Sequence, residues 1–134
     1  MPGIEATANL KTAEVEYDFA VDGGAGGSIN LRAMNALGGV IPAGAVIMGG
    51  YVDVITPFTT GSAATLAINS EAAGDIVAAA VVSGAPWSTA GRKSVIPAFT
   101  GATAVKTTVA RSIVGTIAVG TITAGKARVV LFYK

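Results

Sequence analysis

The sequence predicts an all-β protein, a jelly-roll-like β-sandwich or a small barrel. Three observations predict it: short segments in which apolar and polar residues alternate, a high content of Val, Ile and Thr in those segments, and turns rich in Gly, Pro and Thr between them. No composition break or charge run divides the 134 residues. Residues 1–134 are therefore expected to form a single domain, with residues 1–13 as a flexible N-terminal arm.

The first strand is predicted in "EVEYDFAVD", residues 14–22. Val15, Tyr17, Phe19 and Val21 fall on one face, and four carboxylates fall on the other. This period of two is typical of a half-buried strand with a solvated acidic face. The four carboxylates are Glu14, Glu16, Asp18 and Asp22.

A further strand is predicted in "AVIMGGYVDVIT", residues 45–56, after the turn "GGVIPAG", residues 38–44. No residue from Ala36 to Val52 is charged, so a membrane-spanning helix is the alternative. Five glycines and Pro42 interrupt that stretch, and each interior glycine costs a helix about 1 kcal/mol relative to alanine. The stretch is therefore predicted as a turn followed by a strand, with a bulge or a close backbone approach at Gly49 and Gly50.

The rest of the chain adds further short strands and one open choice. "TLAIN" (65–69) alternates, and "KARVVLFYK" (126–134) is apolar on both faces, which predicts a central strand. Residues 70–80 leave two structures open. Ser70, Glu71 and the alanines that follow favour a short helix, whereas Gly74 and "DIVAAAVV" favour a strand.

Composition excludes several classes of function. The chain has no Cys and no His, so disulfides, Cys/His zinc sites, thiolate nucleophiles and His-based triads are excluded. Net charge is +1, with nine basic and eight acidic residues, which gives no footprint for nucleic acid or an anionic membrane. The glycine-rich segments lack dinucleotide and P-loop spacing and are interpreted as hairpin turns. No cofactor is expected.

The acidic row is the one feature that suggests chemistry. Two facing carboxylates at a suitable separation act as acid and base in glycosidases, and a row of carboxylates also suits a cation. A row on a single strand face is more typical of a solvated edge that blocks strand addition. We therefore expect a structural role for these four residues and predict that the protein is not an enzyme.

Five residues are predicted to lie at an interface. The segment "APWSTAGRKSVIP" (85–97) contains the only Trp, Trp87, and the adjacent cations Arg92 and Lys93. Trp and Arg are favoured as interface anchors, and the alternative is an ordinary loop in which Trp87 covers the core. Asp53 lies among apolar residues, and an ion pair with a cation such as Arg128 is expected, either in the core or between subunits. Only 13% of the residues are charged, which favours association with copies of the chain or a partner.

Three stretches resemble small virion proteins of tailed bacteriophages, especially head decoration (cement) proteins. They are "IPAGAVIMGGYVDVITPFTTGSAATLAI", "GDIVAAA" and "TAGKARVVLFY". The similarity covers about residues 41–82 and 121–133, and it consists of structural residues rather than a catalytic motif. Head fibres and tail components contain similar stretches.

The resemblance implies a jelly-roll-like domain, usually a homotrimer, on the exterior of a capsid. Its partner would be the major capsid protein, whose neighbouring subunits it would clamp and stabilise. The alternatives are a head fibre, spike or tail accessory protein, or a ligand-binding β-sandwich. The N-terminus lacks a signal-peptide pattern, so synthesis in the host cytoplasm and use in the virion without export are expected.

Overall fold

The computed structural model describes residues 10–34, 38–94 and 105–134. In chain order its strands are β1 (Lys11–Asp18), β2 (Gly27–Asn30), β3 (Arg32–Ala33), β4 (Val40–Ile41), β5 (Ile47–Thr60), β6 (Thr65–Asn69), β7 (Val77–Val81), β8 (Gly91–Ser94), β9 (Arg111–Ser112), β10 (Val114–Ala118) and β11 (Ile122–Tyr133). One helical turn, α1 (Phe19–Asp22), follows β1.

The strands form two main antiparallel sheets. One has five strands in the order β3-β1-β11-β5-β8, and the other has four in the order β2-β10-β6-β7, while β4 and β9 form a separate pair. Apolar side chains from both sheets, such as Val15, Leu131, Leu66 and Ile117, belong to one buried cluster. The predicted all-β class is confirmed, and the arrangement is that of a β-sandwich.

The two longest strands lie beside each other in the five-stranded sheet. β11 pairs with β1 on one side and β5 on the other, so the predicted central strand is confirmed. The register between β5 and β11 shifts near Phe132 and Tyr133, opposite the start of β5. A Cβ added at Gly50 would overlap the carbonyl oxygen of Val130. The predicted bulge and close approach at Gly49 and Gly50 are therefore both present.

The first strand is shorter than predicted. Val15 and Tyr17 are buried as expected, but β1 ends at Asp18, whose carboxylate accepts a hydrogen bond from the Ala20 amide. This is an N-cap, which favours a helical turn over continued strand. Phe19 still packs against the core, partly buried, whereas Val21 is 65% exposed.

Part of the predicted arm belongs to the sheet. Residues 1–9 lie outside the described ranges, whereas Lys11, Thr12 and Ala13 pair with β11. Ala13 is fully buried. The arm prediction is thus wrong for these three residues. The single-domain prediction for residues 1–134 extends beyond the described ranges and stays a prediction.

Residues 70–80 form a turn and a strand rather than a helix. The carboxylate of Asp75 accepts hydrogen bonds from the amides of Ser70, Glu71 and Ala72. These amides are the donors that a helix start would offer to an N-cap, and Asp75 closes them into a compact loop instead. β7 follows, so the strand alternative is the observed one.

Three aromatic side chains fill the core near β11. Phe58 stacks on Tyr17 at 5.6 Å between ring centroids and meets Trp87 edge-on at 5.3 Å. A Cβ at Gly125 would overlap the Phe58 ring, so glycine is needed there. Burial, with help from Asp22, raises the pKa of Tyr17 to about 12. The phenol therefore stays protonated and donates a hydrogen bond to the Gly23 carbonyl.

Candidate interaction surfaces

A row of charged residues crosses the outer face of the five-stranded sheet, with one residue from every strand. Because neighbours in this row are paired in register, their Cβ atoms lie about 4.5–5.5 Å apart. The signs alternate from one edge of the sheet to the other. We call this row the charge ladder; in sheet order it consists of Arg32, Glu16, Arg128, Asp53 and Arg92.

Glu16 is the centre of one half of the charge ladder. Its side chain is only 7% exposed, and its carboxylate lies 3.6 Å from Arg32, 3.5 Å from Lys126 and 3.4 Å from Arg128. Arg32 also donates two hydrogen bonds to Asp22, at 3.3 and 3.2 Å, and this contact raises the pKa of the guanidinium. This half is therefore closed by ion pairs within the chain.

The interpretation of the acidic row as a solvated edge is wrong. β1 is not an edge strand, since it lies between β3 and β11. Glu16 is buried among three cations, and Asp18 lies 4.0 Å from Lys126. The structural role expected for these carboxylates is what their contacts support. Sequence alternation alone could not reveal the cations, because they come from strands distant in the chain.

The other half of the charge ladder is open. Asp53 lies opposite both Arg128 and Arg92 in register, yet it forms no ion pair with any residue in the described ranges. The Arg128 side chain binds Glu16, and the Arg92 guanidinium lies over the Tyr51 ring, 4.5 Å from its centroid. The expected Asp53–Arg128 ion pair within the chain is therefore wrong, although the two residues are neighbours.

Trp87 and Lys93, the other two residues predicted at an interface, do not belong to the charge ladder. Trp87 is 0% exposed, and its indole Nε1 donates a 3.2 Å hydrogen bond to the Leu66 carbonyl. The prediction that Trp87 anchors an interface is thus wrong. Trp87 is a core residue, as the alternative interpretation predicts, because its ring fills space between the sheets. Lys93 lies opposite the buried Val52, and its Nζ donates to Thr89 at 2.8 Å.

Three loops that contain no charged residue meet at one end of the sandwich. They are residues 23–27, 61–64 and 118–121, which we call the uncharged end. Neutral hydrogen bonds fix the second and third loops: Thr60 Oγ1 donates to the Thr121 carbonyl at 2.6 Å, and the Thr121 amide donates to Ser62 Oγ at 3.2 Å. The interpretation of the glycine-rich segments as hairpin turns is wrong for residues 23–27 and 61–64, because each of these loops leads from one sheet to the other. The sequence shows the lack of charge in each loop, but not that the loops meet.

The uncharged end presents one large apolar side chain to solvent. Val119 is 79% exposed and has a backbone φ of +69°. A β-branched residue in this left-handed region is an outlier. Neither feature has a signal in the sequence.

Within residues 10–34, 38–94 and 105–134, no group of three or more acidic side chains has a geometry that would hold a metal ion. No helix among the same residues is long and apolar enough to cross a membrane.

Comparison with solved structures finds phage capsids. Over nearly its whole length the chain is similar to chains in the capsid of Ralstonia phage GP4 (20% identity, TM-score 0.62, 99% of this chain and 88% of that chain) and in the cyanophage Pam1 capsid asymmetric unit (17%, 0.61, 99% and 89%). It is also similar to a chain in the acid-stable capsid of Helicobacter pylori bacteriophage KHP30 (13%, 0.60, 92% and 86%). No protein-family model and no curated protein sequence matches it. The chain thus shares its fold with chains in three phage capsids.

Proposed function

We propose that this protein decorates the exterior of a bacteriophage capsid and stabilises it, without enzymatic activity, by clamping neighbouring major capsid subunits. The observation that carries this proposal is the whole-chain similarity to chains of three phage capsids, each covered to 86–89%. Each matched chain is thus little longer than this one. The similarity therefore extends over most of each matched chain rather than over a small part of it.

The open half of the charge ladder supplies a surface suited to contact with the shell. Arg92 is exposed and already ordered on Tyr51, and Asp53 has no ion pair among the described residues. Arg128 keeps 41% of its side chain exposed while it binds Glu16. A partner with a complementary carboxylate and cation would form ion pairs with these side chains. Because the side chains are already ordered, they would lose little conformational entropy on binding.

Several copies of the protein on one shell would act together as the clamp. A standard protein interface buries about 1,600 Å² in total, and several copies of a chain on one shell add avidity through its symmetry. We propose that the protein acts as a homotrimer, so that one assembly contacts several capsid subunits at once. Neither nucleic acid nor a membrane is part of this role.

The experiment is co-sedimentation with capsids assembled from the cognate major capsid protein without this chain. The expected result is saturable pelleting and a rise in the temperature at which the capsids open. A chain that stays in the supernatant at every capsid concentration contradicts the proposal.

Two variants test the surface in the same assay. Arg92→Ala and Asp53→Ala should each weaken capsid binding about tenfold, a typical loss for a central interface residue. The matched control is Lys93→Ala, a cation from the same strand whose Nζ binds Thr89, and it should bind as the wild type does. Equal capsid binding by the wild type and the three variants would show that another surface makes the contact.

A further inference from the structure

The exposed Val119 lies at the tip of the loop that leads from β10 in one sheet to β11 in the other, in a conformation that does not favour valine. Its φ of +69° suits glycine, and the next residue, Gly120, is one. Strained residues of this kind persist where the surroundings hold them, and they cluster at functional sites. Here the hydrogen bonds of Thr60, Ser62 and Thr121 hold the tip in place. The chain therefore presents a rigid apolar knob to solvent.

A hole of matching chemistry lies on the outer face of the four-stranded sheet. It is a shallow cavity of about 300 Å³, lined mainly by small side chains. A cavity of about 150 Å³ holds a benzene molecule, so there is room for a valine side chain. The small lining residues are Ala67, Ala73, Gly74, Ala78 and Ala79.

The polar groups of this cavity are bonded to one another. Asn69 Nδ2 donates to Thr116 Oγ1 at 2.7 Å, and Asn69 Oδ1 accepts from the Gly74 amide. None of the lining residues is charged. An apolar group that enters the cavity therefore displaces water without breaking an ion pair, which is the condition for favourable burial.

Val119 does not enter the cavity of its own chain. Its side chain is 79% exposed and lies just beyond the Ala118–Thr65 pair, whereas the cavity runs from Ala67 and Thr116 towards Asn69 at the opposite end of β6. A contact between them thus requires two copies, and it is heterologous because different surfaces meet. Heterologous contacts close into rings when the rotation permits.

We propose that Val119 of one copy inserts into the alanine-lined cavity of the next copy, and that this contact closes the homotrimer. The inference rests on the proposed function, of which the trimer is a part. It commits to a second copy because both surfaces lie on this chain, are uncharged and match in chemistry. The uncharged end can then approach another copy without charge repulsion.

The test is the native mass by light scattering behind a sizing column. The wild type should give three times 13.2 kDa. Val119→Gly removes the knob and suits the backbone, so it should give the monomer mass with undiminished thermal stability. Val109→Gly is the matched control, because Val109 is also exposed (51%) but lies away from the uncharged end, and it should stay trimeric. A monomeric wild type, or Val119→Gly that keeps the trimer mass, would overturn the inference.

A mixing experiment tests the direction of the contact. Ala79→Leu fills the hole but leaves the knob, so alone it should be monomeric. Mixed with Val119→Gly, it should form a dimer of one copy each and no ring, because only one functional contact remains. No dimer in the mixture would contradict a heterologous contact.

Capsid co-sedimentation keeps this inference apart from the proposed function. A trimer that depends on Val119 but ignores capsids leaves the inference standing and the proposed function wrong. If the wild type binds capsids but Val119→Gly changes neither the native mass nor capsid binding, the proposed function stands and the inference is wrong.

Discussion

The charge ladder and the uncharged end hold their groups in place by different means. At the ladder, Glu16 is surrounded by Arg32, Lys126 and Arg128 at 3.4–3.6 Å. At the uncharged end, Thr60 and Ser62 bind backbone groups of a neighbouring loop. The ion pairs of the charge ladder depend on salt and pH, whereas the neutral hydrogen bonds at the uncharged end depend on neither. One small protein thus carries an electrostatic surface and a neutral surface that can be tested separately.

The largest effect is expected at Glu16. Glu16→Gln removes the anion that three cations share, and breaking a buried pair costs about 3–5 kcal/mol. Because those cations are 34–41% exposed, we expect a smaller loss in the free energy of unfolding, about 2 kcal/mol. Urea denaturation measures it.

Glu14→Gln is the matched control for Glu16. Glu14 lies on the same face of the same strand but has no ion pair among the described residues, so the change should stay within about 0.5 kcal/mol. Equal losses for both variants would mean that the ion pairs around Glu16 add nothing to stability.

A smaller effect, independent of salt, is expected at Ser62. Ser62→Ala removes the acceptor of the Thr121 amide and should lower the free energy of unfolding by about 1 kcal/mol. The loss should be equal at low and at high salt, because both groups are neutral. Ser83→Ala, at an exposed serine, is the control. A loss at Ser62 that shrinks in high salt would contradict the distinction between the two surfaces.

The ion pair between Glu71 and Arg111 should make the stability of the fold depend on pH. Glu71 accepts two hydrogen bonds from Arg111, at 2.8 and 3.2 Å, and two from Thr108. The Arg111 contact is the main cause that lowers the pKa of Glu71 from 4.5 to about 2. Because the folded-state pKa is lowered, this stabilisation is complete above pH 4.5 and is lost as the pH falls towards 2.

A carboxyl titration by NMR measures the pKa of Glu71. In Arg111→Gln the midpoint should rise towards 4.5, whereas the amide signals of Ser62 and Thr121 should not respond over the same range, since their loops contain no titratable side chain. An ordinary midpoint in the wild type would show that the Arg111 contact is not formed in solution.

Much of the fold follows from local pattern. The alternation in residues 14–17, the strand through Gly49 and Gly50, and "TLAIN" are all readable because side chains in a strand point to alternate faces. Two local predictions failed for the same reason, competition from a nearby polar side chain. Asp18 caps a helical turn and Asp75 closes a loop, and neither choice can be read from the period of hydrophobic residues.

The sequence by itself determined the all-β class, the inward face of Val15 and Tyr17, and the absence of Cys and His chemistry, because these depend on composition and on a period of two. Only the tertiary structure decided the partners. It placed Arg128 on Glu16 rather than Asp53, buried Trp87 and joined three uncharged loops into one end. Contacts between residues distant in the chain depend on the order of strands in the sheets, and no local pattern specifies that order.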